Sequence, residues 1–153
     1  MPASMPFEPL NADDLTKWFG VRWDDARTLR LTIRPDLLNP VGFLSGVAAF
    51  TLVDSSMASA LIEHMTPDER CATLTISINY LRTAREGEIV CTTRLDRRTR
   101  ANATLRSEVV HEGGDVLATA VRDLRGLPGA VDVGLAGLEA DAQAQAVRGL
   151  ARR

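Results

Sequence analysis

From Thr73 to Tyr80 hydrophobic and polar residues alternate without a fault: Leu74, Ile76, Ile78 and Tyr80 against Thr73, Thr75, Ser77 and Asn79. A period of two puts the two sets on opposite faces of a β-strand. Weaker alternation marks Val21 to Arg34, clearest in Leu29, Leu31 and Ile33 against Arg30, Thr32 and Arg34, and Pro35 ends it. Three more strands are expected at about 88–97, 103–111 and 116–124, broken by Glu86-Gly87, residues 98–102 and Glu112-Gly113-Gly114-Asp115. Such short connections predict an antiparallel meander.

Before the clean strand the period lengthens. Gly46, Ala49, Phe50, Val53, Met57, Ala60 and Leu61 recur at three- and four-residue spacing, and the other faces carry Ala48, Leu52 and Ala58. A helix over 47–64 that is apolar nearly all round is a buried helix. A shorter helix is expected at 11–19, with Asn11 as N-cap and Gly20 as its stop. One long apolar helix and one antiparallel sheet make an α+β layer arrangement in which the sheet wraps the helix. Val109, Val121 and the cysteines make the other face of the sheet partly apolar on this reading, so self-association is expected.

Composition narrows the class without changing that picture. The 153 residues, 45% hydrophobic and 25% charged, suit one globular domain. Residues 1–20 read as an arm and short helix, 21–126 as the domain, and 127–153 as an Ala/Gly-rich tail with a weak amphipathic helix over 136–150. A net charge of −2 excludes a bulk basic field for nucleic acid. No apolar run has the length of a membrane span, and the first ten residues lack the basic start of a signal peptide. A cytoplasmic location is therefore expected, with Cys71 and Cys91 as reduced core thiols. His64 and His111 have no metal-ligand spacing with either cysteine, so no metal is expected. Dinucleotide, phosphate-loop and Gly-x-Ser-x-Gly motifs are missing, and no cofactor is expected.

One residue does not fit the apolar helix. Asp54 lies between Val53 and two serines, and Phe50, Thr51, Met57 and Ala58 at helical spacing offer it no cation. A desolvated carboxylate without a partner costs several kcal/mol. Two readings stand: an acid on a locally exposed strip, bonded by Thr51 or Ser55, or a general base or nucleophile in a dry site. The loop before the helix also has two readings. Asn39, Gly42, Ser45 and Gly46 either turn and cap the chain, or present free backbone N–H groups to an oxyanion at the helix start. Asp54 lies two turns past Ser45, about 12–14 Å along the axis, so one chain's acid does not reach its own helix start. Two helices running antiparallel across a dimer interface would bring the pair together.

The pattern Asn39-x-x-Gly42-x-x-Ser45-Gly46-Val47, then Asp54, then Thr73…Asn79-Tyr80-Leu81-Arg82 with Ala84 and Gly87, resembles the small hotdog-fold acyl-CoA thioesterases of the phenylacetate-pathway (PaaI-like) type. The resemblance covers about residues 29–124. It implies a long central helix wrapped by a five- to six-stranded antiparallel sheet, and hydrolysis of an acyl-CoA to free acid and coenzyme A. Asp54 would be the general base or nucleophile, and the Gly46 N–H the oxyanion donor from the other subunit. Asn39 would lie near the thioester or its water, and Thr73 would orient that water. Arg97, Arg98 and Arg100 would contact the phosphates or adenosine of coenzyme A, a task suited to the bidentate guanidinium. The implied assembly is a homodimer or a dimer of dimers. The sequence departs from the family at Ser45, where a His is usual, at Val47 for the second Gly, and at Thr83 for a Pro. Ser45 keeps a hydroxyl but is no imidazole. A catalytically attenuated acyl-CoA or small-ligand binder on the same fold is therefore the alternative.

Overall fold

The computed structural model describes residues 14–66 and 69–127. The elements are α1 (Asp14–Phe19), β1 (Arg22–Asp25), β2 (Thr28–Thr32), a single 3-10 turn (Pro35–Leu37), α2 (Gly46–Ile62), β3 (Arg70–Tyr80), β4 (Glu88–Arg98), β5 (Asn102–His111) and β6 (Val116–Leu127). Six antiparallel strands form one sheet in the order β1-β2-β4-β5-β6-β3. The expected α+β hotdog architecture is present. The expected meander is β4-β5-β6, while β3 follows α2 and takes the far edge beside β6.

The sheet buries α2 through alternate residues. Leu29 and Leu31, Ile89 and Cys91, Leu105 and Val109, and Ala118, Ala120 and Leu124 are all buried, together with Leu52, Val53 and Met57 of α2. Each large apolar side chain removed from water contributes about 1.5–3 kcal/mol. Phe19 of α1 joins this core. Polar order runs through it too. Thr93 Oγ1 lies 2.7 Å from Ser56 Oγ on α2 and 2.5 Å from Ser107 Oγ on β5, and all three are buried. Thr93→Val keeps the shape and removes the central hydroxyl. The two serines then lose their shared partner, and urea unfolding should report a loss of about 1–3 kcal/mol.

Several expectations change. The single first strand is a hairpin of two, because Asp25 Oδ1 accepts the Arg27 N–H at 2.7 Å and turns the chain at Ala26-Arg27. Asn11 and the expected helix at 136–150 lie outside the described residues. The outer face of the sheet is mostly polar: Val121 lies on it, half-buried beside Arg94 and Arg106, but the other expected apolar positions do not. Val109 and Cys91 point to the helix, while Arg30 bridges Asp24 and Glu88 outside, and Arg94 and Arg106 share Asp96.

The thiols also part company, since Cys71 is exposed and Cys91 buried. Burial pushes the Cys91 thiol from an ordinary 9.0 up to about 11. Alkylation of the native protein should therefore label Cys71, and Cys91 only after unfolding, as peptide mass mapping would check. The raised value means the folded state keeps a proton that the unfolded chain gives up. This contribution to stability is intact below pH 9 and is lost as pH rises toward 11.

The helix is buried on one side only. Val47, Thr51, Asp54, Ala58 and Ile62 follow each other at three- and four-residue spacing and stay half-buried or exposed. Beside this stripe β3 has no neighbour on its outer edge among the described residues. Its sequence, RCATLTISINY, contains one charge.

Candidate active site

Asp54 has a cation, and a distant strand supplies it. Arg122 of β6 is 8% exposed and places Nη1 2.8 Å from Asp54 Oδ1. The same Nη1 donates to the Asp54 carbonyl at 3.1 Å. The Arg122 Nε donates to Thr73 Oγ1 at 3.0 Å, and Nη2 donates to that oxygen as well. One buried guanidinium thus joins Asp54 of α2 to Thr73 of β3. The Asp54 side chain keeps 47% of its exposure. The acid is therefore neither sealed nor unpartnered, and Oδ2 makes no hydrogen bond among the described residues.

Thr73 reaches this cluster because of a register shift. β3 pairs Thr73 with Leu124 but Thr75 with Asp123, so Leu74 is an extra residue. A bulge of this kind turns the side chains that precede it onto the other face. Simple alternation sets Thr73 with Thr75, Ser77 and Asn79, away from the helix. The bulge returns it to the side occupied by Arg122, Ile76 and Ile78.

The start of α2 is built as a cap. Ser45 has the extended backbone of an N-cap residue, and its Oγ accepts the Val47 N–H at 3.3 Å. Asn39 shapes the preceding loop. Its Oδ1 accepts from the N–H groups of Val41 and Phe43, each at 3.1 Å, and Gly42 takes a φ of 81° in the turn. The Gly46 N–H, at the first helical position, makes no hydrogen bond among the described residues. Tyr80 covers Gly46 from β3: its hydroxyl donates to the Gly46 carbonyl at 2.9 Å, and burial raises the phenol pKa, so that the proton stays in place. A Cβ at Gly46 would stand 3.3 Å from that ring. An apolar pocket bounded by Leu44, Ala49, Tyr80, Ala84 and Leu117 opens beside it.

The structure thus brings Asp54 and Thr73 together, and separately Ser45, Gly46 and Asn39. Eight residues of helix, about 12 Å along the axis, hold the two groups apart on one open face. Arg98 and Arg100 line a cleft at the far end of α2 with Leu61, Met65 and Cys71. There Arg98 Nη2 contacts Glu69 at 2.8 Å. Arg97 lies outside this cleft, beside Leu74, Thr75 and Asp123. His111 binds the Glu86 carbonyl at 2.9 Å and holds a turn. Among the described residues no three metal-ligating side chains cluster, and no helix is long and apolar enough to cross a membrane.

Arg122 was not among the residues singled out from the sequence, yet a signal exists. In β6 it has the parity of Ala118, Ala120 and Leu124, all buried. A charge on the inward parity of a strand marks a polar centre under the sheet as surely as Asp54 does within the helix.

The sequence profile of the thioesterase superfamily matches residues 41–118, from within the loop before α2 through α2, β3, β4 and β5 to the first residues of β6. The chain belongs to the thioesterase superfamily. Solved structures agree on the fold. A mutant thioesterase from Pseudomonas aeruginosa is 20% identical with a TM-score of 0.69, over 76% of this chain and 87% of that one. The PaaI protein of the E. coli phenylacetic acid degradation operon is 17% identical with a TM-score of 0.69, over 77% and 87%. A Bacillus halodurans protein crystallised with CoA is 18% identical with a TM-score of 0.71, over 76% and 78%. No curated protein sequence matches the chain. Membership of the superfamily sets thioester hydrolysis as the general class of chemistry, and the likeness to PaaI shows the hotdog fold.

Proposed function

We propose that the protein is an acyl-CoA thioesterase whose sites are shared between two chains. The observation that carries this reading is a half-exposed carboxylate, Asp54, on the same open helix face as the Gly46 N–H, which is unbonded among the described residues. Asp54 takes a proton from a water as its oxygen bonds to the thioester carbon; or its carboxylate attacks that carbon directly, in which case loss of the thiolate leaves a mixed anhydride on Asp54 that a water then hydrolyses to release the acid and restore the carboxylate. The carbonyl electrons move to an oxyanion received by the Gly46 N–H of the second copy, where the helix dipole adds to the hydrogen bond. The carbon–sulfur bond then breaks and the electrons leave on the thiolate, giving acid and coenzyme A. The CoA-bound Bacillus halodurans structure supports CoA as the carrier. Arg98 and Arg100, in one cleft, would meet its phosphates, while Arg97 stands apart. No cofactor takes part in these steps, and the compartment expected is the cytoplasm.

Dimerisation is part of this reading. Val47 is 66% exposed, Ile62 53%, Leu74 57% and Leu81 56%, all on the helix stripe or along β3 and its end. A long edge strand with little charge invites pairing with another copy. Antiparallel pairing of β3 with itself, centred near Ile76 and Ser77, would set Thr73 of one chain opposite Tyr80 of the other. Asp54 would then approach the second copy's Gly46.

The test is thiol release from a panel of acyl-CoAs, read with a thiol reagent, alongside light scattering. A dimer with turnover supports the reading. Thermal stabilisation by coenzyme A without turnover on any acyl-CoA would instead identify the attenuated binder, in keeping with Ser45 Oγ being spent on the cap.

A further inference from the structure

We propose that Arg122 is a positioning residue that fixes which atom of Asp54 and which end of the Thr73 hydroxyl meet the reacting water. This rests on the hydrolase reading above. Arg122 is buried and faces the inside of the sheet, so it does not touch substrate. Its Nη1 binds Asp54 Oδ1 at 2.8 Å, which leaves Oδ2 as the oxygen free to accept a proton. Its Nε and Nη2 both donate to Thr73 Oγ1. A hydroxyl has two acceptor sites and one proton. With both acceptor sites facing the guanidinium, the Thr73 proton is directed away from Arg122, at a strand position open to solvent.

One cation thereby makes Asp54 an acceptor and Thr73 a donor at neighbouring points. A water between them gives a proton to Oδ2, receives the Thr73 O–H in one lone pair and keeps the other for the thioester carbon. The planar fork is needed because both partners are held at once, one from each side of the same guanidinium. A lysine ammonium keeps the charge but presents a single nitrogen.

The experiment measures kcat and KM for the best acyl-CoA in wild type, Arg122→Lys, Thr73→Val, Thr73→Ser and the double variant Arg122→Lys/Thr73→Val, with a thermal melt on each. Arg122→Lys should lower kcat by about a hundredfold, the scale of a misplaced catalytic group, with KM changed by no more than about twofold. Thr73→Val should lower kcat and Thr73→Ser should restore it. In the double variant the two losses should not add, since each removes the same orientation. An Arg122→Lys protein that folds with wild-type kcat, or losses that add in full, would overturn the proposal and leave the hydrolase standing. If lysine at position 122 fails to fold, the Thr73 pair decides, read on folded protein by the thermal melt: serine keeps the acceptor that Arg122 Nε and Nη2 donate to, and valine removes it. Wild-type kcat with valine there overturns the proposal. A wild-type protein without turnover on any acyl-CoA overturns the hydrolase reading and this inference with it.

Discussion

Asp54→Asn is expected to lower the rate of thiol release from acyl-CoA by about a hundred- to ten-thousandfold, the range that a positioned base or acid contributes. Asparagine is the right replacement because Arg122 is buried and charged. Its Nη1 binds Asp54 Oδ1 and also the Asp54 carbonyl. The asparagine oxygen can still accept from that nitrogen, whereas alanine would leave the guanidinium short of a partner and mix a folding defect into the result. With asparagine the fold remains, the KM for substrate is nearly unchanged, and the lost property is the capacity of the second oxygen to take a proton or attack carbon. Equal rates in the two proteins would remove Asp54 from the mechanism.

Gly46→Pro is the counterpart at the other end of the site, with an expected fall of about a hundred- to a thousandfold in kcat, the cost of one oxyanion donor. Proline deletes the backbone N–H and suits the backbone at this position. Gly46 is the first residue of α2, where proline is well accommodated. Ser45 before it has φ −61° and ψ 136°, the extended conformation that a following proline requires. The added ring presses on Tyr80, so Gly46→Ala is the control: it brings the same Cβ within 3.3 Å of the phenol but keeps the N–H. The difference between the two variants isolates the donor. Wild-type rates in Gly46→Pro would refute the oxyanion role. Mixing the two dead proteins tests whether sites are shared. In a heterodimer of Asp54→Asn and Gly46→Pro chains, one site holds both defects and the other none. Random re-pairing should then restore roughly a quarter of wild-type activity, as two-fold symmetry dictates. Sites contained within single chains would restore nothing.

Most of the fold was legible because periodicity is local. The alternation from Leu74 to Tyr80 and the three- and four-residue spacing of α2 follow from backbone geometry alone, and they sufficed for an α+β sheet around a helix. The candidate site was legible as two unexplained features, Asp54 in a greasy helix and the Asn39–Gly46 loop. Asp54 and the loop from Val41 onward lie within the residues 41–118 that the superfamily profile matches, and Asn39 lies just before them. Ser45 as a helix cap was equally readable, since an N-cap serine needs only the residues that follow it. The paired first strand was missed because its turn depends on one side chain, Asp25, folding back on its neighbour's N–H. Val121 was placed rightly on the outer face, while Val109 and Cys91 were not, because their parity depends on the register with neighbouring strands.

By itself, then, the amino-acid order determined the elements, the architecture, and the presence of an acid that an apolar helix has no packing reason to hold. The tertiary structure alone decided how that acid is kept. Its cation arrives from a strand 68 residues later. Thr73 faces it only because Leu74 is an unpaired residue between two registers of the β3–β6 ladder. The open stripe on α2 exists because the sheet covers just one side. Periodicity is set by consecutive residues, but a bulge, an ion pair across the core and an uncovered face are properties of segments meeting in space, and no local pattern encodes where they meet.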